Sequence, residues 1–141
     1  MIRNIFPVLC VDDVDAARDF YIDVLDLTVT FECGWYTALT VDGDLTRQVA
    51  IVQAGHASVP QGFNEAARGS LVTVDVDDVD QVHERAVAAG HEAVVPLRDE
   101  PFGQRHFMLR DPNGTLLDVV QWIRPSREFL REVAAWRRAH R

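Results

Sequence analysis

The chain has 141 residues, 48% of them hydrophobic and 26% charged, which is typical of a globular domain and excludes a disordered chain. Its two cysteines, Cys10 and Cys33, are too few and too far apart for a disulfide framework or a structural zinc site. All 14 basic residues are arginines, which excludes Schiff-base lysine chemistry. The net charge of −8 disfavours nucleic acid and anionic membranes as partners. The N-terminal residues lack a signal or membrane-spanning stretch, and we expect a cytoplasmic protein.

A repeated pentapeptide organises the chain. The sequence Val-Asp-Asp-Val-Asp occurs at Val11–Asp15 and again, 65 residues later, at Val76–Asp80. Each copy ends an apolar run, Ile5–Val11 or Leu71–Val76, and begins a segment with helical spacing. The helical stripes consist of Val14, Ala17, Phe20, Tyr21, Val24 and Leu25 in the first copy, and of Val79, Val82, Ala86 and Ala89 in the second. The aspartates predict helix N-caps, and we favour this over the alternative of a metal site.

Three further strand-like runs follow each predicted helix. Turn sequences, Val41–Asp44 in the first half and Asp111–Gly114 in the second, separate neighbouring runs. The runs are Leu27–Cys33, Trp35–Val41 and Gln48–Gln53, then Glu92–Leu97, Arg105–Leu109 and Thr115–Gln121.

This order predicts an α+β fold of two β-α-β-β-β modules, each a four-stranded sheet with a helix on one side. We place the first module at 1–54, a linker at 55–69, the second module at 70–123 and a C-terminal helix at 124–141. The uncovered faces of the two sheets are expected to form a cup for a small molecule.

These features resemble the vicinal oxygen chelate superfamily, which includes glyoxalase I, bleomycin resistance proteins and extradiol dioxygenases. The stretch from Phe102 to Asp118, with Gly-Gln-Arg followed by Asp-Pro-Asn-Gly, is similar to the closing hairpin of that family. Phe20-Tyr21 and Val24-Leu25 are similar to its first helix end, although Asp26 stands where glycine is usual. The resemblance covers residues 4 to about 123 and implies the fold, whereas family members include lyases, oxygenases and binding proteins.

The resemblance also implies where divalent-metal ligands would lie. The two positions that carry histidine in metal-dependent members are Phe6 and Leu71 here, and the third falls near Val52, where no strong donor occurs. Only the last position keeps a carboxylate, Asp118. One ligand of four does not make a zinc, nickel or iron site, so we expect neither a metal nor another cofactor.

Strand alternation predicts the lining of the cup. The expected ligand-binding residues are Phe6, Val8, Trp35, Tyr36, Leu71, Thr73, Phe102, Arg105 and Asp118. Either Trp35 or Tyr36 should point inward, and aromatic side chains there would stack on a flat ligand. The alternative is that these aromatic residues fill a closed core. His106 lies on a strand beside Asp118 and is a candidate base assisted by that carboxylate, or else a half-exposed strand histidine.

Two classes of function follow. The first is a glyoxalase/bleomycin resistance-like protein that binds an apolar or cationic organic molecule in a metal-free cup, for sequestration and antibiotic resistance. The alternative is a lyase or dioxygenase-like enzyme that is metal-dependent or uses Asp118 or His106 as a base. We also expect a homodimer. Residues 124–141 carry six arginines against two glutamates, a balance of +4, whereas the rest of the chain carries −12. That tail is expected to dock on its own subunit or on the partner.

Overall fold

The structure, a computed structural model, describes residues 1–141. The chain divides into two compact units, the first holding Met1–Ser70 and Arg110–Leu116, and the second Leu71–Leu109 and Leu117–Arg141. The elements are β1 (Val8–Val11), α1 (Val14–Leu25), β2 (Thr28–Glu32), β3 (Tyr36–Val41), β4 (Asp44–Gln53), β5 (Leu71–Asp75), α2 (Val79–Ala88), β6 (Ala93–Glu100), β7 (Gln104–Arg110), β8 (Leu116–Trp122) and α3 (Arg127–Ala139). The predicted α+β fold with two β-α-β-β-β modules and a C-terminal helix is confirmed.

The first sheet has the strand order β1-β4-β3-β2. β1 pairs in parallel with β4, and the other neighbours are antiparallel. The turn between β3 and β4 contains Asp42 and Gly43, with φ values of 51° and 78°. Two consecutive positive φ angles fit a tight two-residue hairpin, so β4 begins at Asp44 instead of at the predicted Gln48. Beyond the sheet, the Ala67 N–H donates to the Cys10 carbonyl (2.8 Å), which ties the linker to β1.

The second sheet has the order β5-β8-β7-β6, so β6 is an edge strand. β6 continues to Glu100, three residues beyond the predicted end at Leu97, although it contains Pro96. An edge strand tolerates proline because one side of the strand needs no ladder hydrogen bonds. The pairing of β6 with β7 also shifts register between Val95 and Arg98, which is typical of a β-bulge.

The repeated aspartates cap helices, as predicted. Asp13 accepts a hydrogen bond from the Ala16 N–H and Asp78 from the Gln81 N–H, both at 3.0 Å. Ser126 caps α3 in the same way. Asp26 is the C-cap of α1 and adopts the left-handed conformation with φ 57°, the backbone that glycine adopts most readily. None of the three helices has the length and apolarity required to cross a bilayer.

The Asp-Pro-Asn-Gly turn belongs to the first unit and holds the start of α1. The buried Tyr21 hydroxyl donates to Asp111 Oδ2 (3.0 Å), and Asp111 Oδ1 accepts from the N–H groups of Asn113 and Thr115 (both 2.9 Å). Asn113 Oδ1 in turn accepts from the N–H of Asp12 (2.9 Å). This turn therefore satisfies polar groups in the middle of α1 and where β1 passes into α1.

Candidate functional site

Each sheet has a side that packs against its helix and an opposite side, here called the open face. In the second sheet, Arg105 marks the helix side because its guanidinium bonds both carboxylate oxygens of Asp80 at the start of α2 (2.9 and 2.7 Å). Phe107 also faces α2, with its ring 5.0 Å from that of His83. Because side chains alternate along a strand, His106 between them lies on the open face.

On the open face, His106 lies between two carboxylates from neighbouring strands. Its Nδ1 is 2.8 Å from Asp118 Oδ1 on β8, and its Nε2 is 3.1 Å from Glu100 Oε1 on β6. The side chains of His106 and Asp118 are only 5% and 9% exposed, so this contact is shielded from water. We call Glu100, His106 and Asp118 the charged row.

The two contacts of His106 determine which hydrogen bonds its ring makes. A neutral imidazole has one donor and one acceptor nitrogen, whereas a carboxylate only accepts. Each nitrogen of His106 already faces a carboxylate oxygen of the protein, so neither nitrogen is open to a substrate.

Glu100 has a second cationic partner. Arg98 Nε lies 2.5 Å from Glu100 Oε1, the same oxygen that His106 contacts. The Arg98 guanidinium, followed by His106, holds the pKa of Glu100 below its ordinary value. Glu100 is therefore ionised at neutral pH, and its carboxylate forms the end of the charged row on the edge strand β6.

Phe102 covers His106 and connects it to the C-terminal segment. The Phe102 ring lies 6.2 Å from the His106 ring and 6.4 Å from the Phe129 ring of α3, with edge-to-face geometry in both contacts. The backbone around Phe102 is held by hydrogen bonds from Ile123 N–H to Gly103 and from Ser126 N–H to Pro101 (2.9 and 2.8 Å). The start of the C-terminal tail thus docks within the second unit.

The rest of this open face carries apolar side chains, a threonine and one further carboxylate, Asp75. Leu71, at the position of an expected metal-ligand histidine, is 53% exposed, and Thr73 on the same strand is also exposed. Asp75 accepts a hydrogen bond from Trp122 Nε1 at the end of the sheet (3.0 Å). The charged row is therefore bordered by apolar surface that a small molecule could cover.

In the first unit, β3 begins at Tyr36 rather than at Trp35. Tyr36 pairs with Val52, which also pairs with Cys10, so Tyr36 shares the open face with Cys10 and Val8. Burial, followed by the charge of Cys33, raises the pKa of Tyr36. Trp35 precedes the strand and stacks on His56, with ring centroids 3.8 Å apart and planes 5° from parallel.

The remaining predicted residues lie as follows. Phe6 precedes β1 and is exposed, as is Val8. Arg105 does not lie on the open face: it pairs with Asp80 and with Asp99 (3.0 Å) on the helix side. We therefore leave Arg105 out of the candidate site. Sequence reasoning missed Glu100, because the apolar pattern of β6 fades at Leu97, before the charged residues that extend the strand.

The residues at the expected ligand positions do not provide the donor atoms that a catalytic metal requires. Phe6 and Leu71 offer no ligand atom, and Val52 is a buried aliphatic side chain. Asp118 is engaged by His106, whose two nitrogens both face carboxylates. No group of three or more His, Cys, Asp or Glu side chains is arranged to hold a metal ion.

A sequence model described as the Glyoxalase/Bleomycin resistance protein/Dioxygenase superfamily matches residues 5–119. An uncharacterized protein of Mycobacterium bovis is 31% identical over 132 residues, which cover 84% of this chain and 82% of that protein. An uncharacterized protein of Mycobacterium tuberculosis H37Rv has the same identity, with 84% of this chain and 74% of that protein covered.

Solved structures share the fold at lower identity. TioX from Micromonospora sp. ML1 superimposes with a TM-score of 0.70 at 24% identity, covering 86% of this chain and 100% of TioX. A lactoylglutathione lyase from Agrobacterium tumefaciens gives a TM-score of 0.66 at 22% identity, with 85% and 94% covered. At these identities the structural likeness extends to the fold alone.

Proposed function

We propose that this chain, which belongs to the glyoxalase/bleomycin resistance protein/dioxygenase superfamily, binds a small organic molecule on the open face of its second sheet without a catalytic metal. The observation that carries the proposal is the charged row, Glu100, His106 and Asp118, set among exposed apolar side chains. A few oriented polar groups within an apolar surface are typical of small-molecule sites. The cellular role that we propose is sequestration of this molecule, with antibiotic resistance as one form of it.

The geometry of His106 argues against its ring as a catalytic base and leaves Asp118 as the other candidate. A metal-free enzyme of this chain would need a base with a free lone pair near the substrate. Both nitrogens of His106 face carboxylates, so the ring serves instead to fix Asp118. Asp118 uses Oδ1 for this contact, and we assign its other oxygen, Oδ2, to the ligand. An apolar or cationic molecule is the class of ligand that such a surface would accept.

Two flat dyes of similar shape test the proposal. 9-Aminoacridine is a cation at neutral pH, whereas acridine is neutral, and binding of either is measurable by fluorescence titration and by calorimetry. We expect at least one dye to bind, with chemical-shift changes in NMR spectra at Asp118 and His106. If neither dye binds at millimolar protein concentration, or the shifts map elsewhere, the proposal is wrong.

A matched pair of variants tests the role of Asp118. Asp118→Asn keeps the size of the side chain and removes its charge, whereas Asp99→Asn makes the same change on the helix side of the same sheet. Loss of a hydrogen bond to a charged group should weaken 9-aminoacridine binding about tenfold in Asp118→Asn and not in Asp99→Asn. Equal affinity in both variants would show that the Asp118 charge has no role in recognition.

A further inference from the structure

A line of four polar side chains crosses the open face of the second sheet from Arg98 to Asp118. Arg98 pairs with His106 in the β6–β7 ladder, so both side chains lie on that face. Arg98 Nε lies 2.5 Å from Glu100 Oε1, which in turn lies 3.1 Å from His106 Nε2. His106 Nδ1 completes the line at 2.8 Å from Asp118 Oδ1. Arg98 thus adds a cationic end to the charged row.

Exposure to water falls along this line. The Arg98 side chain is 55% exposed and that of Glu100 16%, whereas His106 and Asp118 are almost buried. No hydrogen bond or ion pair joins Arg98 to Asp118. Arg98 therefore acts on Asp118 either through Glu100 and His106 or by its charge acting through space. The contacts at the buried end can transmit such an effect, because hydrogen bonds are stronger where water is excluded.

Each member of the line fixes the orientation of the next. The torsion that turns a carboxylate or an imidazole ring about its last bond has broad minima, so such a group needs a partner to fix it. Arg98 fixes the carboxylate of Glu100, and Glu100 anchors Nε2 of the His106 ring. With Nε2 anchored, Nδ1 stays directed at Asp118 Oδ1. The other oxygen of Asp118, Oδ2, is then held in one orientation.

We propose that Arg98 is a positioning residue of the ligand site, which acts through Glu100 and His106 to hold Asp118 in the orientation that binds a cationic ligand. The inference rests on the proposed function, in which Asp118 Oδ2 binds that ligand. A site whose groups are already oriented loses less side-chain freedom on binding, and this raises its affinity. Charge alone predicts the opposite contribution, because a guanidinium repels a cation. Removing the charge of Arg98 therefore distinguishes the two effects by the sign of the change in affinity.

Arg98→Gln in the full chain provides this test, with 9-aminoacridine as the probe and calorimetry as the measurement. Positioning predicts a dissociation constant about three- to tenfold higher than that of the unmodified protein. Arg98→Lys keeps the charge and a donor for Glu100, and it should restore the affinity. Arg47→Gln is the control, because Arg47 is similarly exposed and binds Asp44 (2.9 Å) in the first unit. Its affinity for the dye should be unchanged. Circular dichroism confirms that each variant is folded.

Two further measurements follow the route from Arg98 to Asp118. NMR of the dye-free protein should show changed nitrogen chemical shifts for the His106 ring in Arg98→Gln, because the partner of Nε2 is no longer fixed. In the background of Glu100→Gln, the change Arg98→Gln should cause no further loss of affinity, because the route to Asp118 is already interrupted.

The outcomes separate this inference from the proposed function. Equal or tighter dye binding in Arg98→Gln, unchanged His106 shifts, or additive losses in the double variant would each overturn the positioning role of Arg98 and leave the proposed function intact. Absence of dye binding to the unmodified protein would contradict the proposed function, and the positioning role would be overturned with it.

Discussion

Tyr21 and Asp111, 90 residues apart in sequence, are joined by a buried hydrogen bond of 3.0 Å. Burial, followed by the negative charge of Asp111, raises the pKa of the Tyr21 hydroxyl above its ordinary value. The protonated hydroxyl is therefore part of the folded state, and Asp111 is its acceptor. The bond links the middle of α1 to the Asp-Pro-Asn-Gly turn.

The first prediction removes this hydroxyl. Tyr21→Phe should lower the free energy of unfolding by about 1–3 kcal/mol, because the buried Asp111 carboxylate loses a donor. Urea denaturation measures the change. Tyr36→Phe is the control, since the Tyr36 hydroxyl forms no hydrogen bond, and it should change stability by less than about 0.5 kcal/mol. Equal effects in the two variants would contradict the role of the bond.

The second prediction concerns alkaline pH. Because the folded-state pKa of Tyr21 is raised, the folded protein binds more protons than the unfolded chain once pH exceeds the ordinary tyrosine value of about 10. The contribution is complete below that pH and is lost progressively above it. The unfolding free energy of the unmodified protein should therefore fall with rising pH more steeply than that of Tyr21→Phe. Parallel slopes above pH 10 would contradict this assignment.

The third prediction tests the contact between the β6–β7 turn and the tail. Gly103 has φ 99°, and a Cβ there would lie 2.8 Å from Pro125 Cγ. Gly103→Ala should therefore introduce both backbone strain and a steric clash, which together lower the free energy of unfolding by about 2–4 kcal/mol. Gly114 has φ 90° with no atom within 4 Å of such a Cβ, so Gly114→Ala reports the strain alone. If thermal unfolding shows equal losses, Pro125 does not pack tightly against the turn.

The fourth prediction concerns metal content. Protein purified without chelators and then exposed to Ni²⁺, Zn²⁺, Mn²⁺ and Fe²⁺ should retain far less than one equivalent after gel filtration, because Phe6 and Leu71 provide no ligand atoms. Mass spectrometry of the bound metal measures this. Stoichiometric metal, or EDTA-sensitive activity on the hemithioacetal of methylglyoxal and glutathione, would contradict the prediction.

The repeat predicted the fold well because its signals are local. The caps at Asp13 and Asp78 depend on residues three positions away, and the Asp42-Gly43 turn depends on its own backbone preferences. The ends of strands were less predictable. β1 begins at Val8 rather than Ile5 because Pro7 has no N–H for a ladder, although its carbonyl accepts from the Ala50 N–H (3.0 Å).

The candidate site was only partly predictable. His106 and Asp118 lie on strands predicted to be neighbours, so their pairing was a reasonable hypothesis. Only contacts with α2 determine which side chains of β7 face the helix and which lie on the open face. Sequence reasoning could not see these contacts, and it therefore placed Arg105 among the ligand-binding residues. Glu100 reaches His106 across a bulged pairing of β6 with β7, and a register shift of this kind has no clear sequence signal.

The place of the Asp-Pro-Asn-Gly turn in the first unit has a consequence for synthesis on the ribosome. Residues 1–70 contain every strand of the first sheet, yet Tyr21 and the backbone N–H of Asp12 find their acceptors only at Asp111 and Asn113. A nascent chain of which only the first half has emerged from the ribosome therefore lacks those acceptors. The duplicated pentapeptide suggests two halves that are complete in themselves, but translation must pass the second half's last hairpin before the first half is finished.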